Sequence, residues 1–179
     1  MSRIDLTNPD QITDERAETL AQIKGAFGLV PNMFRAVANS PAALRSMWAQ
    51  FGALGNGKLG AKLGEMVAVA VADRNRCDYC LSAHTMLGKK AGATAEEMTN
   101  AQSGRSDDPR AAAVLTLATT LVDHRGRLTD ADVQAARDAG LSQEEIVETV
   151  AHVALNVFTN YINVALDVPV DFTRVSLTR

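Results

Sequence analysis

The chain has 179 residues, enough for one domain with a sizeable core, since domains run to roughly 100–200 residues. An apolar fraction of 46% with 22% charged residues excludes a disordered chain, and a formal charge of -3 with a pI near 5.6 offers no basic surface for nucleic acid. Aromatic residues make up only 4% while alanine is frequent, a balance that suits closely packed helices better than a sheet sandwich.

The opening residues from Met1 to Asp10 contain no apolar leader run, and no later stretch approaches the ~18 apolar residues that span a bilayer. A cytoplasmic protein with no membrane partner is the expectation. From about Thr13 to Phe27, apolar residues recur near helical spacing, and Gly25 with Gly28 weakens the end of the segment. A short second helix is expected over Met33–Ala38. Ser40-Pro41 then supplies a cap followed by proline at the first helical position, and a third helix runs to about Leu54.

Leu59 to about Arg74 is the most apolar segment and reads as a central helix, although Met66–Ala72, rich in valine, is also compatible with a buried strand. A new helix begins close to Cys77 and continues to about Lys90. Thr94-Ala95-Glu96-Glu97 and Ser142-Gln143-Glu144-Glu145 have the form of capping boxes, and Thr129 with Asp132 approximates a third. Asp108-Pro109 opens a helix that reaches His124, and the last long helix runs from about Gln143 to Ala165. With no hairpin signal and no glycine-rich phosphate loop, the pattern predicts a single all-α domain over residues 1–179, with about eight or nine helices.

Chemistry concentrates between Glu65 and His84. Both cysteines of the chain, Cys77 and Cys80, lie here with one of its three histidines. At steps of roughly 100° per residue, a helix starting at Cys77 puts Cys77, Cys80 and His84 on one face. A thiolate is the nucleophile, so two thiols with a base one turn away suit a redox centre, and a helix N-terminus with Arg74 and Arg76 nearby favours the thiolate. Two readings stay open beside it: inert core cysteines, or a zinc site using Cys77, Cys80, His84 and Glu65. Glu65, set among apolar residues, is expected to be partly buried, either as a proton carrier or in an ion pair with an arginine. Tyr79 could pass a proton across the thiols, and Asp78 reads as an exposed first-turn acid. Glu148, His152, Asn156 and Asn160 form a polar stripe that is either a second wall of the site or a subunit contact. Trp48, with Met47 and Phe51, reads as core or interface.

The set of Glu65, eleven intervening positions, Cys77-x-x-Cys80, three more and His84 resembles the signature of the alkylhydroperoxidase D family, within the carboxymuconolactone decarboxylase-like superfamily. Gly28-Leu29-Val30-Pro31-Asn32-Met33-Phe34 and the segment from Asn156 to Phe172 are similar to its uncharacterised peroxidase-related branch. The resemblance implies an all-α fold and a thiol-dependent peroxidase. In it Cys80 would be the peroxidatic thiol, His84 and Glu65 the proton relay and Cys77 the resolving thiol. It implies a hydroperoxide substrate, an external dithiol or lipoyl-type reductant, no metal and no cofactor beyond the cysteine pair itself. A homo-oligomer, trimer or hexamer, is implied as well. The best-known peroxidases of the family carry histidine immediately before the second cysteine. Here Tyr79 stands in that place, a poorer shuttle at neutral pH because its pKa is near 10. Two rivals remain: a decarboxylase-type lyase, and a redox-responsive interaction protein without efficient turnover.

Overall fold

The computed structural model describes residues 2–178; Met1 and Arg179, the ends of the expected domain, lie outside the described residues. Among the described residues, a 3-10 turn at Pro9–Gln11 precedes nine α-helices: α1 (Arg16–Phe27), α2 (Asn32–Val37), α3 (Pro41–Gly55), α4 (Gly60–Arg74), α5 (Asp78–Lys90), α6 (Ala95–Gln102), α7 (Pro109–Asp123), α8 (Asp130–Asp138) and α9 (Gln143–Leu166). Among the described residues there is no strand, and Met66–Ala72 is helical. None of the helices is long and apolar enough to cross a membrane.

The caps explain most boundaries. Ser40 accepts the Ala43 N–H, Asp108 accepts that of Ala111, and the three capping boxes at Thr94/Glu97, Thr129/Asp132 and Ser142/Glu145 are fully formed. α1 starts three residues later than its periodicity suggests, at Arg16 rather than Thr13. The Asp14 carboxylate takes both the Arg16 amide at 3.0 Å and its guanidinium, and this holds Asp14 and Glu15 in a turn ahead of the helix.

α4 is the central element, with every residue from Met66 to Asp73 buried, and it packs against α5, α6, α7 and α9. Two side-chain-free positions permit close approaches around it. A Cβ at Gly64 would come within 3.0 Å of the His152 ring, and one at Gly88 would meet the end of Met98 at 2.5 Å. On one flank Phe34, itself buried, gathers Phe27, Trp48 and Phe51 with ring centroids 5.8–5.9 Å away, while the Trp48 indole N–H donates to Gln22.

The turn between α4 and α5 is what places the cysteines. Arg76 takes a left-handed conformation at φ 57°, its amide returns to the Asp73 carbonyl at 3.1 Å, and the Cys77 amide returns to that of Ala72 at 2.9 Å. This is the paired-bond ending of a helix, so Cys77 closes α4 and caps α5 in the same position.

The last residues run as an extended strap over the start of α5. Asp171 accepts the Asn32 amide, Arg174 pairs with Asp78 at 2.7 Å, Val175 donates to Ser82 Oγ, and Thr178 donates to the buried Asp73 carboxylate. The strap brings Phe172 edge-on against Tyr79, with centroids 5.5 Å apart.

Candidate active site

Cys77 and Cys80 are joined as a disulfide and both are buried, at 1% and 2% exposure. Cys77 is the N-cap itself, one residue ahead of α5, and its sulfur accepts the Cys80 amide at 3.2 Å. Cys80 stands in the first turn, where the free amides and the helix dipole favour negative charge on a sulfur. The arginines expected to add to that field are paired elsewhere or solvent-exposed. Arg74 turns toward α7 to pair with Asp123 at 3.3 Å, and Arg76 is exposed in its turn.

One helical turn after Cys80, His84 is buried and its Nδ1 lies 2.7 Å from Glu65 Oε2. Glu65 on α4 is therefore paired with a histidine, not with the arginines offered as its alternative partners. An Nδ1–H held by a carboxylate leaves Nε2 as the basic nitrogen, the tautomer a general base needs. Glu65 is half-buried, and its carboxylate reaches His84 because α4 and α5 pack closely along their length.

A narrow cavity of about 30 Å³ lies over this pair, lined by Phe27, Met33, Phe34, Phe51, Leu87 and Phe172, with Cys80, His84 and Asn163 among its walls. Cys80 borders the space and Cys77 does not. The lining is otherwise apolar, so a group entering it leaves water behind.

Asn163, on α9, donates from Nδ2 to Cys80 Sγ at 3.2 Å and is itself buried. It is a site residue that the sequence reading did not single out. The signal was present, since the stripe of Glu148, His152, Asn156 and Asn160 continues to Asn163 at helical spacing. The stripe lies inside the chain. Glu148 caps α4 by accepting the Lys58 and Leu59 amides at 3.0 Å, Asn160 accepts from Asn75 at the cysteine turn, and His152 and Asn156 line a second cavity behind Glu65. Burial pushes the His152 pKa below its ordinary 6.5.

Tyr79 faces away from the sulfurs. Its hydroxyl accepts the Met33 amide at 3.1 Å, burial pushes its pKa far up, and its ring forms part of the cavity wall beside Phe172. A phenol so placed caps α2, and its raised pKa makes it a weak proton donor. Among the described residues, no group of three or more His, Cys, Asp or Glu side chains is arranged to hold a metal ion.

The carboxymuconolactone decarboxylase family model matches residues 41–120, a span that includes Glu65, Cys77, Cys80 and His84. No curated protein matches the chain in sequence. Among solved structures, it is similar to an uncharacterised peroxidase-related protein with an alkylhydroperoxidase core from Ralstonia eutropha JMP134. That likeness is 23% identity over 95% of this chain and 92% of that one, with a TM-score of 0.86. A peroxidase-related protein from Silicibacter sp. TM1040 is 22% identical over 98% and 92%, with a TM-score of 0.82. The debrominase Bmp8, in a cysteine-to-alanine form bound to 2,3,4-tribromopyrrole, is 18% identical over 96% and 94%, with a TM-score of 0.79. The family match covers residues 41–120, and over nearly its whole length the chain shares the all-α, alkylhydroperoxidase D-like fold of these structures.

Proposed function

We propose that the protein is a thiol-dependent peroxidase that reduces a hydroperoxide through a Cys77–Cys80 dithiol–disulfide cycle. The observation that carries this reading is the one-sided placement of the sulfurs: Cys80 shares the apolar cavity with His84, and Cys77 stands behind it. In the reduced enzyme, His84 Nε2 takes the Cys80 proton while Glu65 steadies the imidazolium that forms. The thiolate attacks the terminal peroxide oxygen, the O–O bond breaks, and the alkoxide leaves with the proton returned by His84. Cys80 is then a sulfenic acid. Cys77 displaces its hydroxyl as water, giving the disulfide, so two thiols and one hydroperoxide become a disulfide, an alcohol and water. An external dithiol, of the lipoyl type or similar, restores the pair by exchange. An exposed apolar row on α9, at Val147, Val150, Tyr161 and Val164, supports a homo-oligomeric assembly.

The test is hydroperoxide consumption with several dithiols as reductant. Cys80→Ser should abolish it, and Cys77→Ser should leave a sulfenic acid on Cys80 that dimedone traps. A decarboxylase-type lyase would keep its activity in Cys80→Ser. A redox-responsive interaction protein would form the disulfide and change its assembly without turnover. Unchanged peroxide consumption in Cys80→Ser sinks the assignment.

The aromatic lining of the cavity favours one further reading, since the debrominase neighbour holds a planar brominated ring. The same dithiol could replace C–Br by C–H, releasing bromide and a proton and leaving the disulfide. Bromide release from tribromopyrrole under the same dithiols separates the two.

A further inference from the structure

The cavity behind the Glu65–His84 pair has no part in the steps above. It encloses about 120 Å³ and is lined by Glu65, His84, His152 and Asn156, with Gly55, Gly60 and Ala61 at its rim. Gly55 and Ala61 are exposed, so the space reaches the surface between α3 and the start of α4. His84 and Phe51 line both this space and the front cavity and form the wall between them.

His152 is 8% exposed, and its Nε2 is buried with no hydrogen-bond partner. An orphaned ring nitrogen costs about 1–3 kcal/mol of desolvation unless water or a ligand reaches it. A cavity of this size, with four polar side chains on its walls, can hold such waters. Gly64 is part of the same arrangement, since only a residue without Cβ lets the His152 ring lie so close to α4.

The front cavity, by contrast, is apolar, and a bound substrate or carrier would fill it. A proton taken from Cys80 then has no watered path outward on that side. We propose that the rear cavity is the proton port of the dithiol centre, with His152 exchanging protons through water with the Glu65–His84 pair. The inference rests on the thiol chemistry proposed above. His152 acts through Glu65 and His84 and does not touch the peroxide, which makes it a positioning residue rather than a catalytic one. In the step it serves, the S–H bond of Cys80 breaks, an N–H bond forms on His84, and the surplus proton passes by water to the His152 ring where it borders the rear cavity, to return when a leaving oxygen or an incoming thiolate needs it. No electrons move. The charged or titratable groups around His152 are Glu65 on α4, His84 on α5 and Glu148 on α9, and α3 presents only Phe51, Leu54 and Gly55. Burial keeps the His152 ring neutral near neutral pH, so that it can both accept and donate.

The deciding experiment reads Cys80 in the reduced protein by its rate of alkylation with iodoacetamide from about pH 5 to 9, the range in which His and thiol groups titrate. It compares the wild type with His152→Gln and His152→Leu, and needs no peroxide turnover. Both variants should shift the alkylation profile upward in pH. Where peroxide is consumed, kcat should fall on the order of 10-fold at neutral pH with KM unchanged, a part of the roughly 100- to 10,000-fold that positioned acid–base groups supply. That deficit should shrink as pH rises and hydroxide takes the thiol proton directly. An unshifted profile, or an equal loss at every pH, overturns the proposal. As a check free of folding effects, the wild-type His152 ring nitrogens, followed by NMR, should change signal when the Cys77–Cys80 bond is reduced, and no change also overturns it. If the wild type fails to consume peroxide while the alkylation profile still shifts, the peroxidase reading falls and the proton port stands.

Discussion

The side-chain amide of Asn163 donates to Cys80 Sγ at 3.2 Å across 83 residues of chain. The contact ties the last helix to the first turn of α5 and directs an N–H at the sulfur that is proposed to carry negative charge. Hydrogen bonds to charged groups contribute about 1.5–3 kcal/mol, so Asn163→Ala should raise the Cys80 thiol pKa by roughly one to two units. Thiolate absorbance against pH in the reduced protein measures this directly. A Cys80 pKa unchanged in Asn163→Ala would refute the role.

Tyr79 is expected to matter for stability more than for rate. Its hydroxyl is engaged by the Met33 amide at the start of α2 and not by the sulfurs. Tyr79→Phe should therefore lower unfolding free energy by about 1–3 kcal/mol, the cost of a buried donor left unpaired, and change peroxide consumption less than about 3-fold. A large loss of kcat with unchanged stability would restore the phenol as a proton shuttle.

Gly88 tests how closely α5 approaches α6. A Cβ there would fall 2.5 Å from the Met98 terminal atoms, and Met98 is only 2% exposed, so its side chain has little room to withdraw. Gly88→Ala should destabilise by about 1–3 kcal/mol, as overpacking of a filled core does, despite alanine's better helix propensity. Urea unfolding midpoints would give the sign.

His152 sets a pH dependence of stability. Its pKa is held below the ordinary 6.5 in the folded chain, chiefly by burial, while the unfolded chain keeps the ordinary value. The unfolded state therefore binds the proton more readily. The contribution is fully present above about pH 6.5 and is lost as pH falls from there through the lower folded value. Urea midpoints at several pH values should show a decline over that window that is smaller in His152→Gln. Equal slopes in the two proteins would remove His152 as its source.

The two kinds of information divide along a physical line. Local chemistry was legible in the sequence: Thr94, Thr129 and Ser142 each bring the acid three residues on that completes a capping box, and Ser40-Pro41 and Asp108-Pro109 mark helix starts by side-chain caps. The one-turn relation of Cys80 to His84 follows from helical period alone. The start of α1 was misplaced because Asp14 competes for the Arg16 amide, a turn that hydrophobic spacing does not encode. The residues from Glu65 to His84 were thus recognisable, but not which side of each faces what. That Glu65 meets His84 instead of Arg74, that Asn163 reaches Cys80, that Phe172 closes the cavity and that Tyr79 points away from the sulfurs are all set by how α4, α5, α9 and the terminal strap pack together. Side-chain caps and helical period act over three or four neighbours, whereas a cavity wall is drawn from segments far apart in the chain, and only their packing in three dimensions selects which groups meet there.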